Sequence, residues 1–316
     1  MPIQHSTWAE RVPLIDYRGV DWSNVTRTRY FCYQRFHYCY PGPITNLHQR
    51  LIVVPPDRYG DQVVVDHDLT SAPHPAVSKE HTDIFGNRIW TIAVDRVEHE
   101  LAFETIMTVE RTAPERSVAI SPTTAARFRD PTSLTAADER ITTIARELLQ
   151  SSRNPEDLAE RISAWVADSM SYGSGATGVQ TTAAQALAIG KGLCQDYAHI
   201  MLAICRVAGL AARYVSGHML AEGGTHAWVE ALLPGKNGGL RAVAFDPTNR
   251  RRANLSYTIV AVGRDYRDVA PTSGSFTAPY SGRLVFTKRA GLTLIELGDG
   301  EILESGAPSA LGSGST

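Results

Sequence analysis

The sequence lacks several features that would place it in a narrow class of protein. Its 316 residues include only four cysteines, too few for the disulfide framework of a small secreted domain. No stretch approaches the roughly 18 uninterrupted apolar residues of a membrane span. The N-terminus, MPIQHSTWAERVPL, has no basic start followed by an apolar run, so it does not predict a secretory signal. We therefore expect a cytoplasmic protein with no membrane partner.

Neither sign of charge is in excess. Lysine and arginine total 31 against 33 acidic residues, a formal net charge of −2, which gives no indication of a nucleic-acid partner. There is no calcium-loop pattern of the type Asp-x-Asp-x-Asp-Gly, and we expect no metal and no cofactor. Cys32 and Cys39 lie in an aromatic segment. We interpret them as reduced and buried, with a disulfide as the alternative if the protein is exported.

The length and composition are those of a globular chain of two domains, with 43% apolar and 20% charged residues. The first part contains short β-branched or aromatic runs separated by turn residues, and no helical pattern. These runs predict a β-sandwich over residues 1–115. The predicted strands are Tyr30–Tyr40, Leu51–Val54, Val63–Val65 and Leu101–Val109, with a hairpin over Ile84–Trp90 that turns at Gly86-Asn87.

A helical pattern begins after a connector that extends to about residue 132. Thr135–Asp138, Asn154–Asp157 and the capping box at Thr182 all predict helix starts. The run CQDYAHIMLAICRVAGL is apolar on nearly all sides, which predicts a buried central helix closed by Gly209. Residues 116–300 are expected to form the second domain, and 301–316 a flexible tail. The predicted strands of this domain are Ala212–Met219, His226–Leu233, Leu240–Asp246, Tyr257–Val262 and Leu284–Thr287.

Cys194 lies at the predicted start of the central helix, just after two glycines. The N-terminus of a helix presents unpaired backbone N–H groups and the positive end of the helix dipole. Both favour the thiolate, the nucleophilic form of cysteine, and the same N–H groups can hold an oxyanion. The position therefore predicts a nucleophile.

A cysteine nucleophile needs a base, and the base needs a group that orients it. His226 begins one predicted strand and Asp246 ends the next, so an antiparallel hairpin would bring them together. We expect a register in which paired residue numbers sum to 472, with the turn centred on Lys236. Asp246 would then accept a hydrogen bond from one imidazole nitrogen, and the other would face the thiol.

Each of these residue types also has a structural interpretation. A cysteine among apolar residues is usually a small buried hydrophobe, and we interpret Cys205 in this way. His199 and His218 are interpreted as structural or supporting residues. A zinc site built from Cys194, Cys205 and histidines is an alternative, although no close Cys-x-x-Cys or His-x-x-x-His spacing is present. Arg250-Arg251-Arg252 is interpreted as a solvated loop, with anion binding as the alternative.

Three blocks of the sequence, Gly192–His199, Thr225–Glu230 and Phe245–Asn249, resemble the signature of bacterial transglutaminase-like proteins. The segment Asp83–Asn87 resembles the strand-rich N-terminal region of many bacterial members, and Gly263–Pro271 is also similar to the family. The resemblance implies an α+β fold in which an N-terminal β-sandwich precedes a papain-like transglutaminase core. In that core a helix bearing the nucleophile packs on an antiparallel sheet bearing the histidine and aspartate.

The resemblance assigns the nucleophile to Cys194, the base to His226 and the orienting carboxylate to Asp246. It leaves the reaction open, because the superfamily includes cross-linking acyltransferases, peptidases, amidases and inactive members. We favour hydrolysis of a peptide or amide bond in a peptide or protein substrate, through a thioester. The alternatives are protein-glutamine gamma-glutamyl transfer and a non-catalytic binding protein on the same fold.

Two further residues are candidates for substrate binding. Gln195 follows the nucleophile directly. Trp228 lies two residues along the strand from His226, hence on the same face, where it could form an aromatic wall. Glu230 shares that face, and we expect it to reach a solvated or structural partner.

Overall fold

The computed structural model describes residues 8–72, 77–114, 118–220, 223–235 and 239–306. The chain divides into two compact units, and neither is continuous in sequence. The first unit comprises Met1–His81, Arg88–Glu115 and Thr272–Thr316, and the second comprises Thr82–Asn87 and Arg116–Pro271. None of the helices in the described ranges is both long enough and apolar enough to cross a membrane.

The first unit contains two antiparallel sheets. Numbered along the chain, its strands are β1 (Val25–Cys39), β2 (Ile44–Leu51), β3 (Arg58–Tyr59), β4 (Gln62–Ala72), β5 (Val77–Thr82), β6 (Arg88–Val97), β7 (Glu100–Thr112), β16 (Thr272–Thr277), β17 (Arg283–Leu297) and β18 (Ile302–Glu304). One sheet has the order β18-β17-β1-β7-β4-β3 and the other the order β16-β2-β6-β5.

Hydrogen bonds join the two sheets of this unit. The Tyr38 hydroxyl on β1 donates to Thr272 Oγ1 on β16 at 2.8 Å and accepts from Gln49 Nε2 on β2 at 3.1 Å. Buried aromatic and aliphatic side chains, among them Phe103 and Leu51, fill the unit. This arrangement agrees with the β-sandwich predicted for the N-terminal region.

The division of the chain differs from the predicted one at its C-terminal end. We expected residues up to 300 in the second domain, but β16, β17 and β18 belong to the first unit. β17 pairs with the whole of β1, from Val25↔Leu297 to Cys39↔Arg283. Strand β18 also replaces part of the predicted flexible tail, and residues 307–316 of that tail lie outside the described residues. A strand's partner depends on the tertiary fold, which explains why local sequence patterns did not predict it.

Two of the predicted strands differ from those in the structure. Strand β2 ends at Leu51, so the predicted strand over Leu51–Val54 is wrong. Ile84 and Phe85 lie in the turn between β5 and β6. The Asp83 side chain organises this turn by accepting from the backbone N–H groups of Phe85 at 2.8 Å and Asn87 at 2.9 Å. Gly86 has a φ of 88°, which only glycine adopts easily.

The second unit combines helices with a main antiparallel sheet and a short two-stranded parallel sheet. Its helices are α1 (Pro122–Ala126), α2 (Glu139–Ser151), α3 (Pro155–Ser169), α4 (Ala183–Ile189), α5 (Cys194–Val207) and α6 (Tyr266–Val269). Its strands are β8 (Ala119–Ile120), β9 (Ser171–Tyr172), β10 (Lys191–Gly192), β11 (Ala212–Met219), β12 (His226–Pro234), β13 (Leu240–Asp246), β14 (Arg251–Arg252) and β15 (Tyr257–Gly263). The main sheet has the order β14-β13-β12-β11-β15, and β8 adds to β13.

Local capping chemistry explains where the helices begin. Asn154 accepts from the N–H groups of Glu156 and Asp157 at the start of α3. Thr182 and Gln185 form the predicted capping box of α4. Helix α2 begins later than the sequence suggested, because the side chain that caps it is that of Asp138.

Helix α5 is the core of this unit. It is buried along nearly its whole length, as the sequence predicted, and it packs against β11 and β12. The chain leaves the helix through Gly209, whose φ is 81°. The first residue of this central element is Cys194.

Candidate active site

The three predicted catalytic residues lie at element boundaries in the second unit. Cys194 is the first residue of α5, His226 the first of β12 and Asp246 the last of β13. His226 and Asp246 are almost completely buried, whereas Cys194 is half-buried. Cys194 is therefore the most accessible of the three candidates.

His226 joins the other two residues. Its Nε2 lies 2.8 Å from Asp246 Oδ2, and Cys194 lies near enough to the imidazole to raise the pKa of His226. Since Nε2 is engaged by Asp246, Nδ1 is the nitrogen directed to the thiol. Burial alone would lower the pKa of His226, but the hydrogen bonds and charges of Asp246 and Cys194 outweigh it and raise that pKa to about 9. The arrangement favours an imidazolium beside the sulfur at neutral pH.

The register of the hairpin is not the one we expected. Val229 pairs with Phe245 and Glu230 with Ala244, so paired residue numbers sum to 474 and not 472. The residue opposite Asp246 is therefore Trp228, with His226 one diagonal step further along the same face. A shift of two residues preserves the face of every side chain, which is why the contact still forms. Lys236, the predicted centre of the turn, lies outside the described residues.

Asp246 is held by five hydrogen-bond donors. Its Oδ2 accepts from His226 Nε2, from the Tyr257 hydroxyl at 2.7 Å and from Asn249 Nδ2 at 2.7 Å. Its Oδ1 accepts from the backbone N–H groups of Thr248 at 3.0 Å and Asn249 at 3.2 Å. Burial would raise the pKa of Asp246, but His226, Asn249 and Tyr257 outweigh it and hold the pKa below its ordinary value. The carboxylate is therefore charged and fixed in place.

Trp228 does not form the predicted aromatic wall. Its side chain is completely buried, stacked on His226 with ring centroids 6.0 Å apart and packed edge-on against Tyr257 at 5.3 Å. It supports the histidine from inside the unit, where a substrate cannot reach it. Glu230 has the structural partner that we expected, since it accepts from Arg213 Nε at 2.7 Å. Gln195 is half-buried beside Cys194, and its contact with substrate stays a prediction.

The first turn of α5 is fixed by a carboxylate of its own. Asp196 Oδ2 accepts from the backbone N–H of Leu193 at 2.8 Å and from Thr177 Oγ1 at 2.7 Å. Burial raises the pKa of Asp196, although these hydrogen bonds act against the shift. A side chain at Gly192 would collide with Asp196, so the glycine lets the carboxylate close over the helix start. These contacts set the orientation from which Cys194 projects.

The alternative sites find less support. Among the described residues no group of three or more histidine, cysteine or acidic side chains could hold a metal ion. His199 is buried and its Nε2 accepts from the backbone N–H of Tyr266 at 3.2 Å, while burial lowers the pKa of His199 to about 4. Cys205 is buried, with its pKa raised to about 12 by burial. His218 is buried as well. All three residues are buried, and their structural or supporting role stays a prediction.

The remaining cysteines and the arginine run also differ in part from expectation. Cys32 and Cys39 do not form a disulfide with each other, and Cys39 is only half-buried. Arg251 and Arg252 form strand β14 beside β13, and are thus part of the sheet edge. Arg250 pairs with Asp168, and Arg252 with Glu156 and Glu160.

Two residues beside the site were not among the sequence candidates. Asn249 was quoted only as part of a motif, and its position three residues after Asp246 is the typical spacing for a turn that returns donors to a carboxylate. Tyr257 was seen only as the start of a strand. No local pattern links it to Asp246, because the contact depends on how β15 pairs with β11.

Two protein-family models match the chain. The transglutaminase-like superfamily core matches residues 142–247, and the bacterial transglutaminase-like N-terminal region matches residues 30–110. The chain thus contains a transglutaminase-like core and a bacterial transglutaminase-like N-terminal region. All three catalytic candidates lie within the core match.

The relatives are themselves without an established activity. An uncharacterised protein of Mycobacterium leprae is 33% identical over 163 residues, which cover 48% of this chain and 54% of that protein. An uncharacterised protein of Mycobacterium bovis is 29% identical over 277 residues, 78% of this chain and 87% of that one. The chain thus spans about half the length of the first relative and most of the second.

One solved structure shares the fold over most of its length. It is a protein from Cytophaga hutchinsonii whose description as a cysteine protease is itself provisional. It superposes with a TM-score of 0.68 at 20% identity, covering 84% of this chain and 91% of that one. At that identity the likeness supports the fold, and the chemistry has to be argued from the site.

Proposed function

We propose that this protein is a cysteine-nucleophile enzyme that cleaves a peptide or amide bond through a thioester, with hydrolysis as its main outcome. The observation that carries the proposal is the position of His226, whose Nε2 lies 2.8 Å from Asp246 Oδ2 while Cys194 lies near enough to raise the pKa of the imidazole. A cysteine at a helix start with a charged imidazole beside it meets the requirements of a nucleophile.

The proposed reaction proceeds in two steps, acylation of Cys194 and hydrolysis of the thioester. The Cys194 thiolate attacks the carbonyl carbon, and the resulting oxyanion is held by backbone N–H groups of the first turn of α5. His226 donates its Nδ1 proton to the leaving amine as the C–N bond breaks, which leaves a thioester. A water molecule then gives a proton to His226 and attacks the thioester, which releases the acid and restores the thiolate.

Asp246 serves both steps without exchanging a proton. It fixes the imidazole so that Nε2–H points to the carboxylate and Nδ1 points to the sulfur, and it stabilises the imidazolium. Replacement by asparagine would remove the negative charge and place an amide where an acceptor is needed. In other triads the loss of the corresponding carboxylate costs several orders of magnitude in rate, and we expect a similar loss here.

The test is to trap the thioester. Full-length protein is incubated with a library of acyl-peptide and acyl-amide donors, quenched in acid and analysed by intact mass spectrometry. We expect an acyl adduct on Cys194 in the wild type, none in Cys194→Ala and a strongly reduced rate in Asp246→Asn. Adduct formation at an unchanged rate in folded Asp246→Asn would refute the proposed role of the triad.

The fate of the thioester separates hydrolysis from amine transfer. A donor that forms the adduct is supplied with and without a primary amine, and both products are quantified. We expect free acid to dominate at low amine concentration. An amide product that dominates there would show that the protein is an amine transferase, and the cross-linking alternative would replace the hydrolytic one.

A further inference from the structure

We propose that Tyr257 and Arg251 are positioning residues of this site, which act in series through Asp246 on His226. The inference rests on the proposed function in one respect, namely that His226 works as the acid and base beside Cys194. It assigns a role to one arginine of a run that we interpreted from the sequence as a solvated loop, with anion binding as the alternative.

The hydrogen-bond directions in this series follow from the chemistry of its members. Arg251 Nε donates to the Tyr257 hydroxyl at 2.8 Å, since a guanidinium has no acceptor. A phenol has one proton, which therefore goes to Asp246 Oδ2 at 2.7 Å. The arginine thus fixes the direction in which Tyr257 donates.

Packing holds Tyr257 in this position. Its side chain is completely buried, and its ring is in contact with Trp228 at a centroid distance of 5.3 Å and with His226 at 6.1 Å. The Arg251 guanidinium covers the ring, 5.2 Å from its centroid. Tyr257 therefore contacts both the carboxylate and the imidazole that the carboxylate orients.

The pairing of β14 with β13 places Arg251 beside Tyr257. Arg251 pairs with Asp246 across β13 and β14, and its Nη2 also donates to Met219 Sδ at 3.1 Å. Its neighbours turn elsewhere: Arg250 pairs with Asp168, and Arg252 pairs with Glu156 at 2.7 Å and with Glu160. The three consecutive arginines are thus not equivalent, and only the middle one touches Tyr257.

Tyr257 and His226 both donate hydrogen bonds to the Asp246 carboxylate, so they compete for its negative charge. A carboxylate that accepts a hydrogen bond from a phenol is a weaker acceptor for the N–H group of the imidazole. Tyr257 thereby moderates how tightly Asp246 holds the proton of His226, so that the imidazolium can still give up a proton to a leaving amine. The ionisable groups that face His226 are Cys194 from α5, Asp246 from β13 and Tyr257 from β15.

The test is the titration of His226 in the full-length protein, which needs no substrate. Histidine is labelled with ¹³C at Cε1, and the His226 signal is assigned by its absence in His226→Gln. We expect Tyr257→Phe, which keeps the ring, to raise the His226 midpoint by about half a pH unit or more. Arg251→Leu should raise it by less, and Arg251→Lys should restore part of the wild-type value.

Arg252→Leu is the matched control, because it removes an adjacent arginine that does not contact Tyr257. Its His226 midpoint should equal that of the wild type. Thermal unfolding of each variant separates positioning from loss of structure. A midpoint in folded Tyr257→Phe that is unchanged or lower than in the wild type would overturn the proposal, as would equal shifts in Arg251→Leu and Arg252→Leu. Because the titration uses no acyl donor, it can fail or succeed independently of thioester trapping.

Discussion

The four cysteines occupy different environments, and their reactivity toward an alkylating reagent should differ accordingly. Cys32 and Cys205 are completely buried, and burial raises the pKa of each thiol to about 12. Cys39 is half-buried, with its Sγ 3.8 Å from His37 Nε2. Cys194 is half-buried at a helix N-terminus beside His226.

We predict that iodoacetamide labels Cys194 first in the native protein at neutral pH. Cys194 combines partial exposure with a helix start and a neighbouring imidazolium, the setting in which cysteines are reactive. Peptide mapping by mass spectrometry after short exposures measures the order of labelling, with Cys39 as an internal competitor and the denatured protein as the control. Equal labelling of Cys194 and Cys205 in folded protein would count heavily against Cys194 as the nucleophile.

The buried pair His226–Asp246 should make stability depend on pH. The pKa of His226 rises from 6.5 to about 9 on folding, so its stabilising contribution is complete below pH 6.5 and is lost as the pH rises through about 9. The pKa of Asp246 is lowered, so its contribution is present above the ordinary value of 3.8 and lost on acidification.

We therefore predict that the free energy of unfolding declines between pH 6.5 and about 9, by up to about 3 kcal/mol from His226. Urea unfolding across this range measures it. Asp246→Asn is the control, because without the carboxylate the pKa of His226 is no longer held up, and the decline should shrink. A wild-type stability that is flat across this range would contradict the raised pKa.

Elements whose boundaries depend on local chemistry were predictable from the sequence. The start of α3 at Asn154-Pro155 and the capping box at Thr182 need only neighbouring residues, and the buried character of α5 follows from its apolar pattern. The pairing register of β12 and β13 was not predictable, because it depends on the length and shape of their connection. Since the error was an even number of residues, the sequence still predicted the contact between His226 and Asp246.

Local sequence patterns could not predict contacts between elements that are distant in the chain. Tyr257 reaches Asp246 because the chain passes from β14, at the β13 side of the sheet, to β15, which pairs with β11. The burial of Trp228 likewise follows from packing by Tyr257 and from Gly217 on the neighbouring strand. The spacing of residues within a strand predicts the face of a side chain but does not predict what covers that face.

Gly217 shows how closely β11 supports the histidine. It pairs directly with His226, and a Cβ at this position would lie 2.1 Å from the Thr258 carbonyl oxygen and 2.5 Å from the Trp228 ring. Neither neighbour can move freely, because one is backbone and the other is completely buried. The absence of a side chain at 217 is therefore a requirement of the strand pairing.

We predict that Gly217→Ala destabilises the protein by about 1–3 kcal/mol or more and impairs labelling of Cys194, since the overpacking displaces Trp228 and with it His226. Gly223→Ala is the matched control, because a Cβ there would meet nothing within 4 Å. Chemical denaturation and the iodoacetamide rate measure the two effects. Equal stability of both variants would show that β11 can accommodate a side chain at position 217.

At the scale of the whole molecule, the chain passes from the first unit to the second and then returns. Residues 272–306 add β16 to the four-stranded sheet and β17 and β18 to the six-stranded sheet. Strand β1 pairs with β17 on one edge and β7 on the other along most of its length. The N-terminal sandwich is therefore completed only by the end of the chain, and it cannot be separated from the second unit by a single cut near residue 115.

This topology predicts opposite results for two truncations. A chain that stops after Pro271 leaves one edge of β1 and one edge of β2 without a partner strand. The first unit should therefore lose protection in these strands and aggregate through the exposed edges. A chain that stops after Gly306 keeps every described strand and should unfold at the wild-type temperature. Hydrogen exchange of peptides from residues 25–39, together with size-exclusion chromatography, measures the difference. If the chain ending at Pro271 kept wild-type protection in that segment, β17 would be dispensable, and the first unit would fold from the N-terminal strands alone.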